Sequence, residues 1–157
     1  MNNESMNVAP VDEKLPVGKS LALALQHVLA MCAGAVAVPI IVGNAAGLSQ
    51  SEIVFLINAD LLIAGVATLI QTLGLGSKIG AKIPMVEGTS FATVSAMVAI
   101  ADSYKGDSLS AMTTIFGAVL IAGIFTFFMA PVFGKLLRFF PKVVTGTVVS
   151  IIGLSLI

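Results

Sequence analysis

Residues 84–101 read PMVEGTSFATVSAMVAIA, and whether this stretch crosses a bilayer decides the fold. It opens on a proline and a polar run, Glu87-Gly88-Thr89-Ser90. Only from Phe91 to Ala101 is it continuously compatible with a helix. At 1.5 Å per residue that helix rises about 16 Å, roughly half of a ~30 Å hydrocarbon core. Unwound backbone is tolerated at membrane depth only where protein buries it or where it lines a cavity. A half-helix starting there leaves its first N–H groups unpaired and presents the positive end of its dipole. Broken helices of this kind hold substrates at the midplane of transporters. The plainer alternative is a short helix whose polar start lies in the interface, and periodicity does not separate the two.

The flanking sequence says that a membrane is the setting. Apolar residues make up 57% of the chain and charged residues 10%, and the mean hydropathy is +1.06. A soluble domain is nearer half apolar and a quarter charged, because its surface must face water. Here too few charges exist to solvate a globule. Residues 21–42, 53–75 and 109–133 are each long and apolar enough to cross a bilayer, and residues 143–157 begin another such run. The polar start of the chain, with Glu4, Asp12 and Glu13, is unlike the basic start of a cleaved signal, so residues 21–42 are expected to be a retained helix.

Charge placement decides for a crossing at residues 85–101. With five spans, Lys14, Lys19, Lys78, Lys82, Lys135, Arg138 and Lys142 share one side, and the other side receives only Lys105. Positive residues mark the cytoplasmic side, which puts the N-terminus inside. Residues 1–20 are then a cytoplasmic tail, 21–133 hold spans one to four, and 134–157 hold a cytoplasmic loop and the start of a fifth. The net charge of zero argues against nucleic acid as a partner. One cysteine, Cys32, rules out an intrachain disulfide. No nucleotide-binding loop, metal-ligand cluster or nucleophile–base pair is present, so the sequence predicts neither an enzyme nor a metal or cofactor site.

A few polar residues inside the spans are candidates for chemistry. His27, beside Gln26, shares a helical face with Met31, Gly34 and Val38. It is either a hydrogen-bonding group near a substrate or proton path, or a neutral histidine bonded to a neighbouring segment. Asp60 aligns with Ala64, Thr68 and Gln71 in a narrow polar stripe that must face protein or water. A proton relay is one reading of it, and a structural hydrogen bond to another span is the favoured one. Glu87 is either a substrate or proton group or a solvated residue at a cavity mouth. Small residues at four-residue steps, such as Ala30 and Gly34 or Gly146 and Ser150, permit close helix contact.

Three stretches together resemble the nucleobase–cation symporter family, also called nucleobase–ascorbate transporters. They are Leu25-Gln26-His27-Val28-Leu29-Ala30-Met31 with Gly34 and Pro39; Gly88-Thr89-Ser90-Phe91-Ala92; and Phe140-Pro141-Lys142-Val143-Val144-Thr145-Gly146 running into Ile152-Gly153-Leu154-Ser155-Leu156. The run Ile57-Asn58-Ala59-Asp60-Leu61 with Thr68 and Gln71 looks more like the xanthine and urate branch than the uracil branch. The resemblance implies an all-α polytopic membrane protein of fourteen spans in two inverted seven-span repeats, with a core and a gate domain. This sequence would be its N-terminal part, about five spans, with the remaining C-terminal part as a necessary partner. Residues 89–93 would form a small β-strand in the short, broken third span, with the Phe91 N–H pointing at the base. By position Gly34 would line the pocket beside Ser90, Phe91 and Ala92, and His27 would help to order it.

The function implied is secondary active import of a purine base such as xanthine or urate, with protons as the coupling ion, across the inner membrane. A homodimer is one assembly it leaves open. The alternatives are the same fold carrying uracil or another small anion, and an inactive truncated membrane remnant.

Overall fold

The computed structural model describes residues 15–76, 79–136 and 140–155. Lys14, Lys78 and Arg138, which entered the charge count above, lie outside them, as do Glu4, Asp12 and Glu13. The described chain is almost wholly helical: α1 (Val17–Ala45), α2 (Gln50–Leu73), a 3-10 turn (Phe91–Thr93) leading into α3 (Val94–Ser103), α4 (Ser108–Leu136) and α5 (Lys142–Ser155). Helices α1, α2 and α4 are long and apolar enough to cross a membrane. Residues 91–103 form a shorter apolar helix, as the break at Glu87–Ser90 predicts.

Residues 89–93 are not a strand. Ser90 is extended, at φ −91° and ψ 130°, but the chain then tightens into the 3-10 turn. An extended segment becomes a strand only when a second one pairs with its N–H and C=O groups, and no strand lies beside it among the described residues.

Local sequence sets the helix ends. α1 stops in a Schellman arrangement: Gly47 is left-handed at φ 72°, its N–H bonds the Asn44 carbonyl, and the Leu48 N–H bonds the Gly43 carbonyl. Ser49 and Glu52 form a capping box for α2. The Ser49 N–H donates to Glu52 Oε2 at 2.7 Å, and the Glu52 N–H donates to Ser49 Oγ at 3.4 Å. Asp107 caps α4 by accepting from the Ser110 N–H at 3.0 Å, and hydrogen bonding from Ser110, its side chain first and then its N–H, holds the Asp107 carboxyl below the ordinary carboxylate range. Pro39 in α1 and Pro131 in α4 each remove one donor from a helix ladder.

Two compact units emerge. The first comprises Met1–Ala37 and Phe55–Thr89, the second Val38–Val54 and Ser90–Ile157. In the second, α3 packs against α4, and Val94, Ala101, Ala111, Met112 and Ile115 are buried. Ile53, 2% exposed, sits against Gly43: a Cβ added there would lie 2.8 Å from Ile53 Cγ1. Ala35 is the buried apolar residue of the first unit among those described.

Candidate functional site

The polar residues singled out in the first two spans converge on one segment. After α2 the chain turns at Gly74 and Gly80, both left-handed, and the Leu75 N–H bonds the Ile79 carbonyl. From residue 83 to residue 90 it carries neither helix nor strand. Pro84 lacks a donor and biases Ile83 toward extended backbone, which favours this conformation. The segment is a strap whose polar groups need partners from elsewhere.

Helices α1 and α2 supply them. The Lys82 N–H donates to the Gln71 carbonyl at 3.0 Å. The Val86 N–H donates to His27 Nε2 at 3.4 Å, and the Glu87 N–H to Thr68 Oγ1 at 2.9 Å. The Thr89 hydroxyl donates to the Asp60 carboxylate, 2.6 Å from both oxygens. As the strap advances through residues 82, 87 and 89, its partners on α2 recede through 71, 68 and 60. The strap therefore runs antiparallel along α2, on the stripe that Asp60, Ala64, Thr68 and Gln71 mark in the sequence.

His27 thus accepts from the strap's backbone and Asp60 from the Thr89 hydroxyl. Acceptance by Nε2 requires a neutral imidazole with its proton on Nδ1. Asp60, Thr68, Glu87 and Thr89 are half-buried and His27 is exposed. Glu87 joins the strap through its backbone, and its carboxylate has no protein partner among the described residues. Its side chain lines a cavity of about 520 Å³ with Met31, Cys32, Leu61 and Thr68. A second cavity of about 760 Å³ is lined by Gln26, His27, Thr72, Pro84 and Met85. Both are walls of apolar side chains with a few polar groups, the usual make-up of a small-molecule site. Gly34 is half-buried on α1 and lines neither.

The remaining predicted residues belong to the second unit. Ser90 Oγ accepts from the Ala92 N–H at 3.2 Å, and Thr93 Oγ1 donates to the Ser90 carbonyl at 3.0 Å. Ala92's donor is therefore consumed within the turn. Phe91, half-buried, is the first residue of the turn, and its N–H takes no acceptor among the described residues. Among those residues no group of His, Cys, Asp and Glu could hold a metal ion. Sequence reading missed Thr89 as the partner of Asp60 and Thr68 as the partner of the Glu87 N–H. Thr68 belongs to the stripe that helical spacing projects on α2, whereas Thr89 lies in the run where the family resemblance implies a strand.

An almost wholly helical chain with three helices long and apolar enough to cross a membrane is a multi-pass membrane protein. The sequence model of the Permease family matches residues 18–157, and the chain belongs to that family. It is 44% identical over 147 residues to the uric acid transporter UacT of Escherichia coli (strain K12). It is 48% identical over 139 residues to the uric acid permease PucJ of Bacillus subtilis (strain 168), and 44% identical over 139 residues to the xanthine permease of the same organism. These matches cover 94%, 88% and 88% of this chain but 30%, 29% and 30% of the relatives, so the chain spans less than a third of their length. No solved structure matches it.

Proposed function

We propose that this chain is part of a secondary active transporter that imports a purine base such as xanthine or urate. The observation that carries the reading is an unwound polar strap, held by side chains of two apolar helices, in a chain similar to uric acid and xanthine permeases over most of its length. In this reading the Phe91 N–H donates to the base, Ser90 and Ala92 shape its surroundings, and Gly34 lines the pocket from the first span. Gln26, His27, Asp60 and Glu87 form the supporting hydrogen-bond network. Transport runs by alternating access with proton symport, in a fold of two inverted seven-span repeats. The second repeat and the rest of the gate domain come from the C-terminal part of the transporter.

The chain sits in the inner membrane with its N-terminus in the cytoplasm. Lys19, Lys82, Lys135 and Lys142 support the orientation. Reporter fusions after residues 80 and 140 should read as cytoplasmic, and a fusion at residue 105 as external. An internal reading at residue 105 would remove the third crossing.

The decisive experiment measures uptake of radiolabelled xanthine and urate by the full-length protein in vesicles under an imposed pH gradient. Saturable uptake of one or both, mutual competition and collapse by a protonophore are expected. Uptake of uracil with exclusion of both purines would sink the reading. The 157-residue chain alone, holding part of one repeat, should show no saturable uptake.

A further inference from the structure

Of the side chains that hold the strap, Asp60 is the one that binds a hydroxyl rather than a backbone N–H. An acidic side chain inside an apolar helix is expensive, and it persists where it has a partner and a task. Among the described residues the partner is a single hydroxyl: Thr89 Oγ1 lies 2.6 Å from both carboxylate oxygens, and both residues are half-buried. This is the last anchor of the strap before Ser90. The preceding ones, at Val86 and Glu87, hold backbone N–H groups. Between Glu87 and Thr89 stands Gly88, the most permissive residue for the backbone, so the Asp60–Thr89 bond restrains a stretch that its own sequence leaves free to vary.

We propose that Asp60 is a positioning residue for substrate: through the Thr89 hydroxyl it fixes the backbone at the end of the strap, and so sets the affinity of the residues that follow it in the chain. The proposal rests on the purine-transport reading. Asp60 touches no substrate in this account. It acts by removing backbone freedom that binding would otherwise have to remove, so its loss weakens binding without slowing the carrier.

The experiment uses the full-length protein in vesicles, with uptake normalised to the amount of protein in the membrane. Thr89→Val deletes the donor and leaves the shape, and it should raise KM for the purine about tenfold with the maximal rate per copy within about twofold. Thr89→Ser keeps the hydroxyl and should stay within about threefold of the wild type. Asp60→Asn keeps an acceptor but loses the charge-assisted bond, and should fall between them. The double variant Asp60→Asn, Thr89→Val should be no worse than Thr89→Val alone, because both remove the same bond. Unchanged KM in Thr89→Val, or a lower maximal rate at unchanged KM as a merely structural bond would give, overturns the proposal. A wild type that takes up neither purine fails the functional reading instead. The contact is then judged by pairing Asp60→Cys with Thr89→Cys in a background freed of every other cysteine, Cys32 included. A disulfide on mild oxidation supports the clamp, and its failure to form overturns it.

Discussion

The strap of the first unit and the α3–α4 hairpin of the second hold themselves by different means. The strap is fixed by polar groups: three side chains of α1 and α2 receive two N–H groups and one hydroxyl from it. The hairpin is fixed by close contact between apolar side chains, with Ala111 at 0% exposure, and no side-chain hydrogen bond links α3 to α4 among the described residues. Two regular helices satisfy their own backbones, so in lipid they need only fit each other in shape. An irregular segment leaves donors open, and each must find an acceptor or lose several kcal/mol in hydrocarbon. Polar residues inside spans therefore mark where the backbone is irregular, and small ones mark where helices meet.

The largest expected effect tests the functional end of this contrast. Ser90 is the cap and Phe91 the first residue of the 3-10 turn, a position at which proline is tolerated because its N–H would have no intrahelical partner. Phe91→Pro should therefore fold while losing the donor proposed for the base. Binding of xanthine or urate to the purified full-length protein should weaken by tenfold to about a hundredfold. Phe91→Leu keeps the N–H and should stay within about tenfold. A folded Pro variant that binds normally, beside a Leu variant that does not, would make the ring the contact rather than the backbone.

The next effect tests the packed unit. Gly43→Ala places a methyl 2.8 Å from Cγ1 of the buried Ile53, which is not the free end of a flexible chain. Overpacking costs about 1–3 kcal/mol, and better helix propensity returns roughly 1 kcal/mol. A net loss of about 1 kcal/mol should appear as a lower melting temperature of the detergent-solubilised protein. An unchanged melt would mean that this elbow yields as readily as the strap.

Much of this architecture was legible beforehand, for identifiable reasons. Spans are legible because a ~30 Å apolar thickness leaves long hydrophobic runs in the sequence. The α1, α2 and α4 limits accordingly fall within a few residues of those expected. The stripe Asp60, Ala64, Thr68 and Gln71 was legible because helical spacing projects it to one side. Its partner was not. Backbone donors such as the Glu87 N–H exist at nearly every residue, so nothing in the sequence of residues 82–89 names which of them meets Thr68 or His27. The strand expected at residues 89–93 failed for a related reason: extended residues specify a strand only together with a partner, and the sequence names neither pairing nor register.

A smaller effect separates the strap's anchors from global stability. Thr68→Val removes the acceptor of the Glu87 N–H, 2.9 Å away, with little change in volume. An unpaired, half-buried donor costs about 1 kcal/mol, the lower end of the range for buried groups. Because the bond holds a local segment, the loss should show as faster hydrogen exchange at residues 86–89 while the melt moves little. A large drop in the melting temperature would show that the strap is part of the main cooperative unit.

The smallest expected effect is the most direct comparison of the two regions, because it repeats the glycine-to-alanine change on the strap. A Cβ at Gly88 would run into the terminal methyl of Met31, a closer approach than the one at Gly43. Distance alone would make Gly88→Ala the worse variant. The identity of the neighbour reverses the order: Met31 is unbranched, only half-buried, and ends in a methyl that three rotatable bonds can swing aside. Gly88 also has no left-handed φ that alanine would refuse. Alanine further narrows the unfolded chain, which contributes roughly 0.4–1 kcal/mol in the other direction. Gly88→Ala should therefore change the melt by less than about 0.5 kcal/mol, well below Gly43→Ala. If Gly88→Ala proves the more damaging, Met31 is held rigidly, and the strap is a packed element like the hairpin rather than one fixed by its hydrogen bonds.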